Sequence, residues 1–241
     1  MDPTVAGNWD ILHDYGEHRE CSRVDGKCFF NPAQGADPSF GSGALLEHTW
    51  PTGFGDDSLW PGTKGRSGGT RIHLQTPNLH HTQSYISFEF KFSPNIQLGP
   101  TGLKIMGVGS VRRNLISAWV LATGFDHRLV YDNKIFCGDF QCAGSPRQIY
   151  SNFQFDGGTV YHMEILTTVN SAAGVPDGTV SIWINGTRVL HATDVVVYGD
   201  TVGPAGDARW LNGLLLDPIP SARVPAPENW ARYDNLYVST R

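Results

Sequence analysis

The chain is poor in charge. Only 17% of its 241 residues are Asp, Glu, Lys or Arg, and only five of those are Lys. No basic run with interleaved aromatics occurs, which argues against a nucleic-acid partner. No apolar stretch is long enough to span a bilayer as a helix. Strong helical periodicity is missing, because Gly and Pro interrupt most windows of that length. Cysteine is scarce as well: four residues fall as Cys21/Cys28 and Cys137/Cys142, neither pair is CxxC, and no His cluster sits beside them at zinc spacing. No G-x-S-x-G elbow supports serine-hydrolase chemistry, and the E-x-D-x-x-E strand signature of sandwich glucanases is absent. The charge of −5 does not exclude an anionic substrate, since a cleft can be locally positive.

What is abundant is Gly (28) and Pro (15), beside 40% hydrophobic residues. That mixture describes short strands, elaborate loops and a sizeable core. Strand-like runs occur at 44–51, 70–76, 84–92, 102–108, 115–122, 128–135, 159–169, 179–184, 187–191, 194–198, 211–216 and 232–240. Large loops are expected at 52–69, 136–158 and 199–210. Asn185-Gly186 between two alternating runs is a hairpin turn; with Thr187 it also spells a glycosylation sequon. Residues 1–43 read as an irregular N-terminal extension or an edge strand plus loop. No composition shift marks a linker. The expected architecture is a single all-β domain over 1–241, a two-sheet antiparallel β-sandwich of the jelly-roll kind with long loops.

The two Cys pairs fit short-loop disulfides in an exported protein, with the connectivity open. Short loops limit each bridge to roughly 2–3 kcal/mol, so they would pin loops locally. Met1-Asp2-Pro3 reads as the start of a mature chain without a leader, so secretion is read from the cysteines. A monomer with no membrane partner is expected.

The stretch 84–110, SYISFEFKFSPNIQLGPTGLKIMGVGS, carries the most information. Phe88, Phe90 and Phe92 alternate with Ser87, Glu89 and Lys91, so one face is core and the other polar. The chain turns at Ser93-Pro94-Asn95 and returns on a strand bearing Lys104. Sorting the other runs by alternation gives an outward set: Arg71, His73, Gln75, Glu89, Lys91, Lys104, Ser117, Trp119, Tyr131, His162, Glu164 and Trp183. Aromatic rings mixed with cations and acid/base groups suit a carbohydrate cleft better than a plain wet surface. The expectation is that Arg71, His73, Trp119, Tyr131 and His162 line one sheet with Lys104.

This stretch resembles the strand–loop–strand of jelly-roll polysaccharide lyases of the alginate and glucuronan lyase type, with a concanavalin-A-like sandwich. Those enzymes carry a K-F-S-p-n phrase followed by G-G-K-L-P-G, and Lys104 matches its Lys. Here Thr101-Gly102-Leu103 precedes the Lys and Ile105-Met106-Gly107 follows it. Ser117 and Tyr131 are similar to residues on the family's next two strands, although Ala118 and Trp119 stand where an Arg usually flanks the Ser. The rhythm continues through FDGGTVYHMEILTTVN, DGTVSIWINGTRVL, LNGLLLD and YDNLYVS, so the resemblance covers roughly 40–241.

The resemblance implies β-elimination on a uronate. The C6 carboxylate must be neutralised, a base must take the C5 proton, and an acid must protonate the leaving oxygen. Lys104, Arg71 or His73 suit the first role, Lys104 or His162 the second, and Tyr131 the third. Gln75, Glu89, Lys91, Ser117, Trp119, His162 and Glu164 are the further candidates for gripping the substrate. A non-catalytic, lectin-like binder would keep the same skeleton. A glycoside hydrolase would need two carboxylates, for which Glu89 and Glu164 are the strand pair. No cofactor is required. A structural Ca2+ is compatible with loop Asp residues, with Asp56, Asp57 and Asp234 as candidates by composition. His80 and His81 are adjacent and do not share one strand face, so they suggest no metal site.

Overall fold

The structure is a computed structural model. It describes the backbone of the strands named below and, with side chains, residues 37, 39–40, 82–96, 151–172, 175–195, 230–237 and 239. In chain order the strands are β1 (Asn8–Leu12), β2 (Arg23–Val24), β3 (Lys27–Cys28), β4 (Phe30–Pro32), β5 (Leu46–Trp50) and β6 (Arg71–Gln75). Then follow β7 (Gln83–Phe92), β8 (Leu103–Ser110), β9 (Arg113–Thr123), β10 (Asp126–Asn133), β11 (Phe136–Cys137) and β12 (Phe140–Gln141). The last six are β13 (Arg147–Gln154), β14 (Val160–Thr168), β15 (Gly178–Ile184), β16 (Thr187–Val195), β17 (Gly213–Pro220) and β18 (Asn229–Thr240). Sheet 1 has the order β1-β6-β17-β8-β9-β10-β13, sheet 2 the order β16-β15-β14-β7-β18-β5-β4. Among the described strands every pairing is antiparallel, as an all-β jelly roll requires.

Of the two readings of the N-terminal region, the edge-strand one matches: β1 forms an edge of sheet 1 and β4 an edge of sheet 2. Two other expectations change. The loop expected over 136–158 contains β13 and the small β11–β12 hairpin. The strand β13 escapes a pattern reading because a Ser occupies a core position. Ser151 is buried, and it is accommodated because its hydroxyl donates to the Val189 carbonyl at 2.8 Å and accepts from the Phe153 amide at 3.0 Å. Finally, β7 and β8 do not form one two-stranded unit. They lie in different sheets, so the chain crosses over after Ser93-Pro94-Asn95.

The inner face of sheet 2 follows the alternation read from the sequence. Phe88, Phe90 and Phe92 are buried on β7, beside Tyr161, Met163 and Ile165 on β14 and Val180, Ile182 and Ile184 on β15. Phe90 lies at the centre, with ring centroids 5.2 Å from Phe92, 5.3 Å from Phe155 and 5.7 Å from Tyr161. The Tyr161 hydroxyl is not wasted in this core, since it accepts the Asp156 amide at 2.8 Å. Just past Asp156, the chain passes the end of β7 so closely that a Cβ on Gly157 would sit 2.5 Å from the Pro94 carbonyl oxygen. The Ser-Pro-Asn and Asp-Gly-Gly phrases are therefore two halves of one contact. At the other end of β14, the expected hairpin forms: Ile184 pairs with Thr187, and Asn185 and Gly186 take φ of 50° and 76°.

A buried ion cluster ties the segment before β5 to sheet 2. Asp37, only 6% exposed at its side chain, accepts from Arg232 Nη1 at 2.8 Å and Lys91 Nζ at 3.2 Å. Its other oxygen accepts the Ser39 amide at 3.0 Å. Burial pushes the carboxyl pKa up, but the hydrogen bonds from Ser39, Arg232 and Lys91 outweigh it and hold the group well below the usual carboxylate range. A depressed folded-state pKa stabilises above the unfolded value, about 4, and that contribution fades as pH falls below it. Asp37→Asn is expected to cost about 1–3 kcal/mol at neutral pH, leaving two cations against an amide. Urea unfolding at neutral and acid pH checks this: the gap between variant and parent should shrink on acidification, and a constant gap would contradict it.

Candidate functional site

The topology divides the expected carbohydrate set in two. Arg71, His73 and Gln75 on β6, Lys104 on β8, Ser117 and Trp119 on β9, and Tyr131 on β10 belong to sheet 1. Glu89 and Lys91 on β7, His162 and Glu164 on β14, and Trp183 on β15 belong to sheet 2. The expectation that His162 lines one sheet with Arg71, His73, Trp119 and Tyr131 is therefore corrected. Alternation identifies the phase of a residue on its own strand, but not which sheet that strand joins.

In sheet 1 the register gathers the family-like residues. Lys104 pairs with Trp119, and Trp119 with Val130. Two residues along β9, Ser117 pairs with Gly107, Gly107 with Leu215, and Leu215 with His73. Directly paired residues share a face, so His73, Ser117, Trp119 and Lys104 are in one phase. Lys104 reaches that phase through a bulge. Regular alternation would set positions 104 and 107 on opposite faces, but the register shifts between Lys104 and Met106 and restores the match. His73 and Lys104 stand two strands apart, roughly 10 Å across the sheet.

Several residues in this phase were not singled out by the sequence reading. Gly107, Gly109 and Gly213 lie in register between Gln75 or His73 and the β9 positions Ser117 and Asn114. Glycine weakens a strand, and its use at three such positions suits a surface that a ligand or backbone approaches closely. The G-V-G of 107–109 is the sequence signal that could have revealed it. Asp132 pairs with Ser117, and Tyr150 pairs with Val130 in the Lys104–Trp119 row. Tyr131 pairs with Ala118, one step out of that phase. Arg71 and Gln75 bracket His73 on β6, where they pair with Leu12 and Asn8 of β1.

The sheet 2 candidates have local partners. Lys91 is engaged by Asp37 and by the Ser39 hydroxyl at 3.1 Å. Glu89 pairs in register with His162 and accepts from Asn235 Nδ2 at 2.8 Å. Glu164 accepts the Tyr85 hydroxyl at 2.5 Å, and this bond, with burial, raises the Tyr85 pKa. Glu89 and Glu164 are diagonal neighbours on the half-exposed outer face, roughly 7–8 Å apart by sheet geometry. The backbone of His162 is clasped by Asn185, whose Oδ1 accepts the His162 amide at 2.8 Å.

Asp56 and Asp57 lie outside the described residues. Asp234 accepts the neighbouring Asn235 amide at 2.7 Å, and among the described residues no three His, Cys, Asp or Glu side chains converge. Cys21 and Cys142 also lie outside them, as do the side chains of Cys28 and Cys137; the backbones of the latter pair with Arg23 and Phe140 in the two small hairpins.

No protein-family model matches the chain, and no curated protein matches it in sequence. Solved structures do match. An endo-β-1,4-glucuronan lyase from the fungus Trichoderma reesei superposes with a TM-score of 0.62 at 13% identity, over 98% of this chain and 94% of that one. An alginate lyase from Aplysia kurodai gives 0.59 at 11% identity, over 83% and 84% of the two chains. A variant alginate lyase solved with an alginate trisaccharide gives 0.55 at 15% identity, over 82% of each chain. The fold is thus the jelly roll shared by glucuronan and alginate lyases, as the resemblance of residues 84–110 implied.

Proposed function

We propose that this protein is a secreted polysaccharide lyase that cleaves a uronic-acid polymer by β-elimination on sheet 1. The observation that carries the reading is the register: Lys104 pairs with Trp119, with Ser117 and His73 in the same phase, in a fold shared with glucuronan and alginate lyases. Arg71, with whichever of Lys104 and His73 is protonated and not the base, supplies positive charge for the C6 carboxylate, which acidifies the C5 proton. Lys104 or His73 takes that proton, the C4–O bond breaks, a C4=C5 double bond forms, and a Tyr phenol protonates the departing oxygen. Of the two phenols on the neighbouring strands, Tyr150 shares the Lys104 phase, whereas Tyr131, expected beside Lys104, stands in the opposite phase. Gln75, Ser117 and Trp119 hold the sugar rings. Cationic side chains suffice to neutralise the carboxylate, so the chemistry needs no cofactor, and any Ca2+ would be structural. Export belongs to the same reading and rests on the two close Cys pairs of the sequence.

A substrate screen tests this. The protein is incubated with glucuronan, alginate, pectate and a neutral glucan, while the ultraviolet absorbance of the unsaturated uronate is followed. A rise is expected on a uronate polymer and none on the glucan. No rise on any polymer would overturn the lyase reading; binding without cleavage would leave a lectin-like protein using the same face.

A further inference from the structure

The other half of the divided set makes a surface of its own. One register row runs across five strands of sheet 2: Arg188, Trp183, Glu164, Ser87 and Tyr237. Trp183 is half-buried and Tyr237 is 57% exposed. Three strand spacings separate these rings, roughly 14 Å. Between them Tyr85 packs edge-on to Tyr237 at 6.1 Å and donates its hydroxyl to Glu164.

Bulges set both ends of the row. On β18 plain alternation would put Tyr237 inward with Tyr233, which is 3% exposed. Instead the register shifts between Asp234 and Tyr237, with Asn235 at φ 52°, and Tyr237 is turned out to face Ser87. On the far side a second shift, between Ile182 and Trp183, brings Arg188 opposite Trp183. One exposed and one half-buried aromatic ring a few sugar lengths apart, with hydroxyl acceptors between them, suit a carbohydrate chain lying across the strands. The acidic centre of the row disfavours the polymer assigned to sheet 1, although Arg188 closes one end of it. Glu164 and, in the next row, Glu89 face the same side, and their carboxylates accept sugar hydroxyls but repel uronates.

We propose that the outer face of sheet 2 is a second carbohydrate-binding surface, specific for a neutral, hydroxyl-rich glycan and separate from the uronate site. It goes beyond the lyase reading and does not depend on it. Its role would be to hold the protein on a neutral matrix polymer while sheet 1 acts on a uronate.

Affinity electrophoresis tests it, with the whole protein run through gels containing a soluble neutral β-1,4-glucan or alginate. Retardation by the neutral glucan is expected, and Trp183→Ala and Tyr237→Ala should each weaken it about two- to tenfold. Both variants should keep the parent's activity, if any, on soluble uronate polymers, and a thermal melt confirms that they fold. Trp183→Phe should retain part of the binding. No retardation by the neutral glucan, or retardation unchanged in both Ala variants, would overturn the proposal. So would release of reducing ends from the glucan that Glu164→Gln abolishes, which would make the face a hydrolase site.

Discussion

Lys104→Ala is expected to lower uronate-lyase activity by roughly 10²–10⁴-fold, the usual range for a missing acid/base group. The position is unusual in needing a bulge to stand in the His73–Ser117–Trp119 phase. A strand departs from regular pairing at a cost, and such departures collect where a side chain must be re-aimed. Lys104→Arg separates the two roles of this residue. Arg keeps the cation that neutralises a carboxylate but does not give up its proton at working pH. If Lys104 is the base, the Arg variant keeps its KM and loses kcat as the Ala variant does. If it only grips the anion, Arg restores most of the activity and Ala raises KM. Full activity in both variants would move the site away from β8. Tyr150→Phe and Tyr131→Phe, assayed in parallel, identify the phenol, and the register favours the larger loss at Tyr150.

Phe90→Ala is expected to destabilise the fold by about 3–5 kcal/mol, which is a large share of a domain's total stability. Phe90 is fully buried, and its ring contacts Phe88, Phe92, Phe155 and Tyr161. Those partners come from β7 itself, from β14 and from the segment after β13, so a cavity there is poorly filled by local collapse. The denaturant midpoint should fall with little change in slope. Phe90→Leu should recover much of the loss. A drop below about 1 kcal/mol for the Ala variant would show that the ring cluster is looser than its geometry indicates.

Much of this architecture was legible in the residues. The alternations over 84–92, 159–169 and 179–184 identified buried and half-exposed positions that the structure repeats, from Phe88 to Ile184. Asn185-Gly186 announced its turn because few other dipeptides tolerate two consecutive positive φ values. The segment β13 was not legible, since its buried Ser151 needs a carbonyl on β16 to be tolerated. Nor was the phase of Tyr237, which a bulge reverses. The Lys91 partner lay 54 residues away at Asp37, and no spacing rule predicts such a pair.

The sequence by itself determined that this is an all-β chain and which positions of β7, β14 and β15 are core, and it offered Lys104, His73 and Trp119 as candidates for a carbohydrate site. Those are properties of a single strand, where side-chain period and local turn chemistry act over a few residues. Only the tertiary structure decided which strands share a sheet. Hydrogen-bonded pairing between distant segments placed β7 in sheet 2 and β8 in sheet 1, and so split one expected cleft into two faces. Alternation is blind to that choice, because a strand with one apolar face satisfies either sheet equally well until its neighbours are in place.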